Sequence, residues 1–121
     1  MPHLRLLFED TPEMREFLRD NKKKFGDITA EVLGYPRDQV AVVPDPIRQE
    51  DMDLSDNILP LEFVIDAGDR VIDRVEESAE EIKNRILAEC PGASKINFGV
   101  WLRGLIGAFV EHKPVQSGGS S

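Results

Sequence analysis

The stretch Met1-Pro2-His3-Leu4-Arg5-Leu6-Leu7-Phe8 lines up without a gap on Leu59-Pro60-Leu61-Glu62-Phe63-Val64-Ile65-Asp66, and each copy opens on an apolar residue followed by proline. What comes after each copy matches too: a long helical pattern, a Gly/Pro stop and a second β-rich run. A chain built on such a repeat is confined to few folds. Two strand–helix–strand units of about 55–60 residues each bring parallel strand pairs together through right-handed crossovers. The predicted class is α+β, with two pseudo-symmetric βαβ units forming a four-stranded mixed sheet and two helices on one face.

In the first unit Leu4, Leu6 and Phe8 share one strand face and His3, Arg5 and Leu7 the other, so apolar residues lie on both sides, as in a central strand. Thr11 and Pro12 then read as N-cap and first helical residue, with Glu9, Asp10 and Glu13 near the positive dipole end. Met14, Phe17, Leu18, Phe25, Ile28, Val32 and Leu33 form the buried stripe. Gly26 and the polar run Asn21-Lys22-Lys23-Lys24 predict a curve or break in this helix, and Gly34 and Pro36 end it. Gln39 to Val43 is the next strand, closed by Pro44 and Pro46. Asp45 to Asn57 is an acidic, aperiodic loop, and a loop so long in a small domain is either functional or a surface excursion.

The second unit runs from the Leu59–Ala67 strand through Gly68 to a helix capped by Asp69. Val71, Ile72, Val75, Ala79, Ile82, Ile86 and Leu87 make its stripe, and Pro91-Gly92 stops it. Lys95 to Leu102 reads as the fourth strand, with Ile96, Phe98 and Val100 on one face. Ala108 to His112 makes a short last strand or a tail. A sheet that is apolar on both faces with helices on one needs a cover for the other, and a second copy of the chain is the natural one. The alternative is a monomer whose extra apolar residues only fill out edge strands.

Composition narrows the function classes. With 121 residues and 40% hydrophobic content, residues 1–114 read as one domain and 115–121, which end in Ser117-Gly118-Gly119-Ser120-Ser121, as a flexible tail of linker composition such as an expression tag leaves. A net charge of −8 and a pI near 4.7 argue against nucleic acid or an anionic membrane surface as partner. The single cysteine, Cys90, excludes an internal disulfide and reads as a buried thiol. No secretory signal or membrane span is apparent, so a cytoplasmic location is expected.

Pro2 carries the chemical interest. Once Met1 is trimmed it becomes a secondary-amine terminus, with a reference pKa of about 7.7–8.0 against roughly 10.4 for lysine, so burial or nearby cations can leave it neutral and basic at physiological pH. The plainer reading is architectural, since Pro60 opens the matching strand without any free amine.

The Met1-Pro2-His3-Leu4 opening, the paired βαβ halves and the run Leu61-Glu62-Phe63-Val64-Ile65-Asp66-Ala67-Gly68-Asp69-Arg70 resemble the tautomerase superfamily, and most of all its 5-carboxymethyl-2-hydroxymuconate isomerase and macrophage migration inhibitory factor-like branch. The resemblance implies a homotrimer with sheets facing inward and a cofactor-independent, metal-free site. In that site Pro2 is the general base that moves a proton between carbons of a keto/enol or 2-hydroxydienoate acid. It also implies arginines that hold a small carboxylate substrate: Arg70 first, then Arg74, Arg37 and Arg48. Arg74 can instead pair with Glu77 or Glu81, and Arg5 calls for an acid such as Glu62. Asn97 and Trp101 either line a neighbour's site or pack between subunits, and His3 reads as structural or interfacial. Two other readings remain: a hydratase, dehalogenase or decarboxylase on the same fold, with Glu62 or Asp45 activating water, and a non-catalytic trimeric binding or scaffold protein. The fourth strand carries no tyrosine and Tyr35 sits in a turn, which sets the chain apart from members whose chemistry relies on one.

Overall fold

A computed structural model of the chain describes residues 3–47, 59–67, 74–104 and 107–114. Its elements are β1 (His3–Glu9), α1 (Pro12–Leu33), β2 (Ala41–Ile47), β3 (Leu61–Asp66), α2 (Val75–Glu89), β4 (Phe98–Arg103) and β5 (Ala108–His112), and the sheet order is β2-β1-β3-β4-β5. The pairs β1/β2 and β3/β4 are parallel and the β1/β3 pair between them is antiparallel, so the two βαβ units meet back to back at β1 and β3. The expected four strands gain a fifth, because the chain turns back after Arg103 and lays Ala108–His112 antiparallel on β4.

The local signals explain most boundaries. Thr11 Oγ1 accepts from the Met14 amide at 3.2 Å, Pro12 takes a first-turn position, and Gly34 closes α1 in the left-handed region at φ 76°. The expected break at Asn21–Lys24 does not occur, and α1 runs unbroken for 22 residues. Asn21 is turned inward and donates to the Phe17 carbonyl at 2.9 Å, which satisfies the amide within its own helix. β2 also runs further than expected, through Pro44 and Pro46 to Ile47. It is an edge strand bonded only to β1, so the missing proline N–H groups cost it no ladder bonds on the open side. β4 begins at Phe98 rather than Lys95, since Ala93–Lys95 closes a 3₁₀ turn. The predicted start of the second helix at Asp69 lies outside the described residues.

Both helices cover one face of the sheet. Leu4, Leu6 and Phe8 of β1, Leu61, Phe63 and Ile65 of β3, and Phe98, Val100 and Leu102 of β4 meet Leu18, Phe25 and Ile28 of α1 and Ala79, Ile82 and Ile86 of α2. Burying each of the larger side chains contributes roughly 1.5–3 kcal/mol. Phe25, Phe63 and Phe98 form an edge-to-face series, with centroids 4.8 and 5.4 Å apart, that ties α1 to the two central strands of the second unit. Between the helices Arg85 binds Glu31 and Glu89, each at 2.6 Å.

Candidate functional site

Among the described residues, no helix or further strand packs on the other face of the sheet. Strand register sets its residues in rows, and the middle row reads Val43, Arg5, Val64, Trp101, Phe109 across all five strands. Among the described residues the exposed large hydrophobics are Val43, Trp101 and Phe109, and all three belong to this row. Trp101 and Phe109 stack with centroids 4.3 Å apart, and Gly99, on the same face, leaves room for the Phe109 ring. Arg5 meets Asp45 at 2.7 Å, not Glu62 as anticipated. The reason is register: Asp45 lies opposite Leu7, one step diagonal to Arg5. Glu62 instead lies 3.5 Å from the Trp101 indole nitrogen.

At the end of this face where β1 begins, His3 directly follows Pro2 in the chain. There the row reads Ala41, His3, Asp66, Arg103. Arg103 leans over the Trp101 ring at 5.9 Å, so an exposed cation on an aromatic platform stands two strands from the start of β1. Sequence reading passed over Arg103, although its place at the end of a strand six residues long, in register with Asp66, would have singled it out had the pairing been known.

The predicted site residues are scattered within a single copy. Pro2, Arg48 and Arg70 lie outside the described residues. Trp101 stands on the uncovered face as described. Asn97 sits at the far edge, just ahead of Phe98, which pairs with Leu61, and its Oδ1 is enclosed without a hydrogen-bond donor among the described residues. Arg74 adopts the left-handed conformation at φ 57° ahead of α2 and pairs with Glu77, one of its two expected partners. Arg37 lies on the helix side, where it binds Asp27 at 2.8 Å and donates to the Val40 carbonyl at 3.0 Å.

No family model matches the chain, and no curated protein matches it in sequence. Among solved structures, a crystal structure of native fused 4-OT (4-oxalocrotonate tautomerase) superposes with a TM-score of 0.55 over 84% of this chain and 85% of that one, at 11% identity. This chain has the tautomerase-type fold. Two further structures align less closely: Pt0534 inactivated by 2-oxo-3-pentynoate, at 14% identity with a TM-score of 0.48 over 85% of each chain, and an asymmetric trimer of wild-type F6 fused 4-OT, at 10% and 0.48 over 84% and 86%. The fold argument therefore rests on the first. The sheet of this chain has five strands, and its open face carries the Trp101–Phe109 pair on β4 and the edge strand β5.

Proposed function

We propose that the chain is a tautomerase or isomerase in which the Pro2 amine, freed by removal of Met1, moves a proton between carbons of a keto/enol or 2-hydroxydienoate acid. The observation that carries the reading is the shared fold, together with a proline directly ahead of the strand that is central to it. A neutral secondary amine near pH 7 takes the carbon-bound proton, and the ammonium returns it at another carbon. Cations beside the developing enolate lower its energy and keep the amine deprotonated. Arg70, Arg74 and Arg48 are the arginines proposed to hold the carboxylate, with Arg37 the least suited because it lies against α1 on the helix side, where Asp27 and Val40 engage it.

The active unit is a homotrimer formed through the uncovered face, which would bring Asn97 and Trp101 of one copy toward the site of the next. The exposed Val43, Trp101 and Phe109 of the middle row support this reading. No helix among the described residues is long and apolar enough to cross a membrane, and proton transfer by an amine calls for no cofactor. A non-catalytic trimeric binding protein is the second reading, favoured by the structural engagement of Arg37.

The test is activity on phenylenolpyruvate or 2-hydroxymuconate with wild type and Pro2→Ala, after intact-mass analysis of the N-terminus. Turnover lost in Pro2→Ala with Met1 absent from wild type is the expected result. Equal activity in both, or a retained Met1, removes the amine mechanism.

A further inference from the structure

Although the chain is acidic overall, with a net charge of −8, one flank of α1 is basic. Arg15, Leu18, Arg19 and Lys22 follow one another at helical spacing along the side that overlooks β2. In β2, Val42, Pro44 and Pro46 pair with Leu4, Leu6 and Phe8 and so face the helix layer, yet Pro44 and Pro46 remain exposed. A trough of about 430 Å³ results, floored by Phe8 and Leu18 and walled by Pro44 and Pro46 opposite Arg15, Arg19 and Lys22. A second depression shares Arg19 and Lys22 with it and adds Lys23, Arg37 and Val42. The helical wall from Arg15 to Lys22 is about 10 Å long, and the strand wall from Val42 to Pro46 about 13 Å.

The two walls ask for different chemistry. Prolines offer no N–H, so whatever lies along β2 is held by apolar contact and is not an added strand. On the α1 side Arg15 is paired with Asp10, Arg19 lies 3.7 Å from Asp20, and Arg37 is paired with Asp27, while Lys22 and Lys23 carry the local balance to positive. We propose that this trough binds an amphipathic anion, with an extended apolar body along Pro44 and Pro46 and one carboxylate or phosphate head at Arg19 and Lys22. The site is on the helix side of the sheet, opposite the uncovered face, and does not depend on the Pro2 reading.

Calorimetric titration of the full chain with decanoate, decyl phosphate, decanol and inorganic phosphate tests it, with co-sedimentation on phosphatidylglycerol vesicles as a further arm. Saturable binding of decanoate or decyl phosphate is expected, with decanol and inorganic phosphate each at least about tenfold weaker. Lys22→Glu, an exposed substitution whose fold is checked by its melting curve, weakens that binding by about tenfold or more, and Pro2→Ala leaves it unchanged. Pro44→Asp on the opposite wall weakens it in the same sense and stands as the test should Lys22→Glu fail to fold. The proposal is overturned if neither amphiphile saturates by millimolar concentration, if decanol binds as well as decanoate, or if the folded wall variants bind like wild type. It is equally overturned if Pro2→Ala abolishes binding, which places the ligand in the other site, or if only vesicles bind.

Discussion

The guanidinium of Arg37 rests on the bare backbone of Gly26, in space that a Cβ at that position would need. Gly26 looks like a flaw in α1, since glycine inside a helix costs about 1 kcal/mol relative to alanine. Its burial beneath an arginine anchored by Asp27 and Val40 makes it a seat instead. In an Arg37→Ala background, Gly26→Ala is therefore expected to stabilise by about 1 kcal/mol, whereas in wild type the gain disappears or reverses. Denaturant unfolding of the double-mutant cycle reads this as a coupling of roughly 0.5–3 kcal/mol, and equal effects in both backgrounds would falsify the seat.

Self-association through the open face makes a second prediction. Trp101 and Phe109 are in contact and are the two aromatic side chains among the exposed large hydrophobics of the described residues. Placing lysine at both positions leaves the helix-side core untouched and puts charge where a neighbouring copy must pack. Light scattering should show wild type above the 13.6 kDa of one chain and the Trp101→Lys/Phe109→Lys protein at monomer mass, with both folded by circular dichroism. Gly99→Ala tests the same surface more gently, because the added methyl would lie 2.5 Å from Phe109 Cε1 and push the ring off Trp101. A monomeric wild type, or a double variant that still associates, discards this interface.

Much of this fold could be read from residues alone, because its signals are local. The alternation Leu4, Leu6, Phe8 and its repeat in Leu61, Phe63, Ile65 locate the core face, and Thr11-Pro12 starts α1 at the expected residue. What escaped depends on neighbours distant in sequence. Pro44 and Pro46 end a central strand but not an edge strand, and edge position is set by which strand lies alongside. Asn21 looks like a helix interruption until its amide is seen to find the Phe17 carbonyl. Arg5 chooses Asp45 because of the β1/β2 register, and Arg103 acquires interest only once β4 lies beside β3. Of the site, Trp101 is placed on the open face and Arg37 on the helix side, while Pro2, Arg48 and Arg70 fall outside the described residues.

A third prediction concerns acid. Arg85 holds the Glu89 carboxyl below the usual carboxylate range, chiefly through its hydrogen bond, with Lys24 adding to the effect. A carboxyl whose pKa is depressed on folding contributes stability above its unfolded value, about 4.3, and that contribution is lost as pH falls through the folded value. Arg85→Gln should therefore melt below wild type at neutral pH, and the two melting temperatures should converge in strong acid. A gap that persists unchanged at low pH would mean that Arg85 acts through packing and not through charge.

Cys90 has the opposite sign. It is 3% exposed at the end of α2, and burial, assisted by the nearby Glu89 charge, pushes its thiol up to about 11. The folded chain thus keeps the proton after the unfolded chain, at about 8.5, has released it, so stability is intact below that pH and declines as pH rises toward the folded value. Two measurements follow. A thiol reagent at mildly alkaline pH should leave the native chain unlabelled and label it at once in denaturant, since the thiolate is the reactive form and burial disfavours it. Denaturant midpoints for wild type and Cys90→Ala should draw together between neutral and strongly alkaline pH, because only wild type carries this titration. Rapid native labelling, or two parallel midpoint curves, would show that the thiol reaches solvent and that its burial beside α2 does not govern its chemistry.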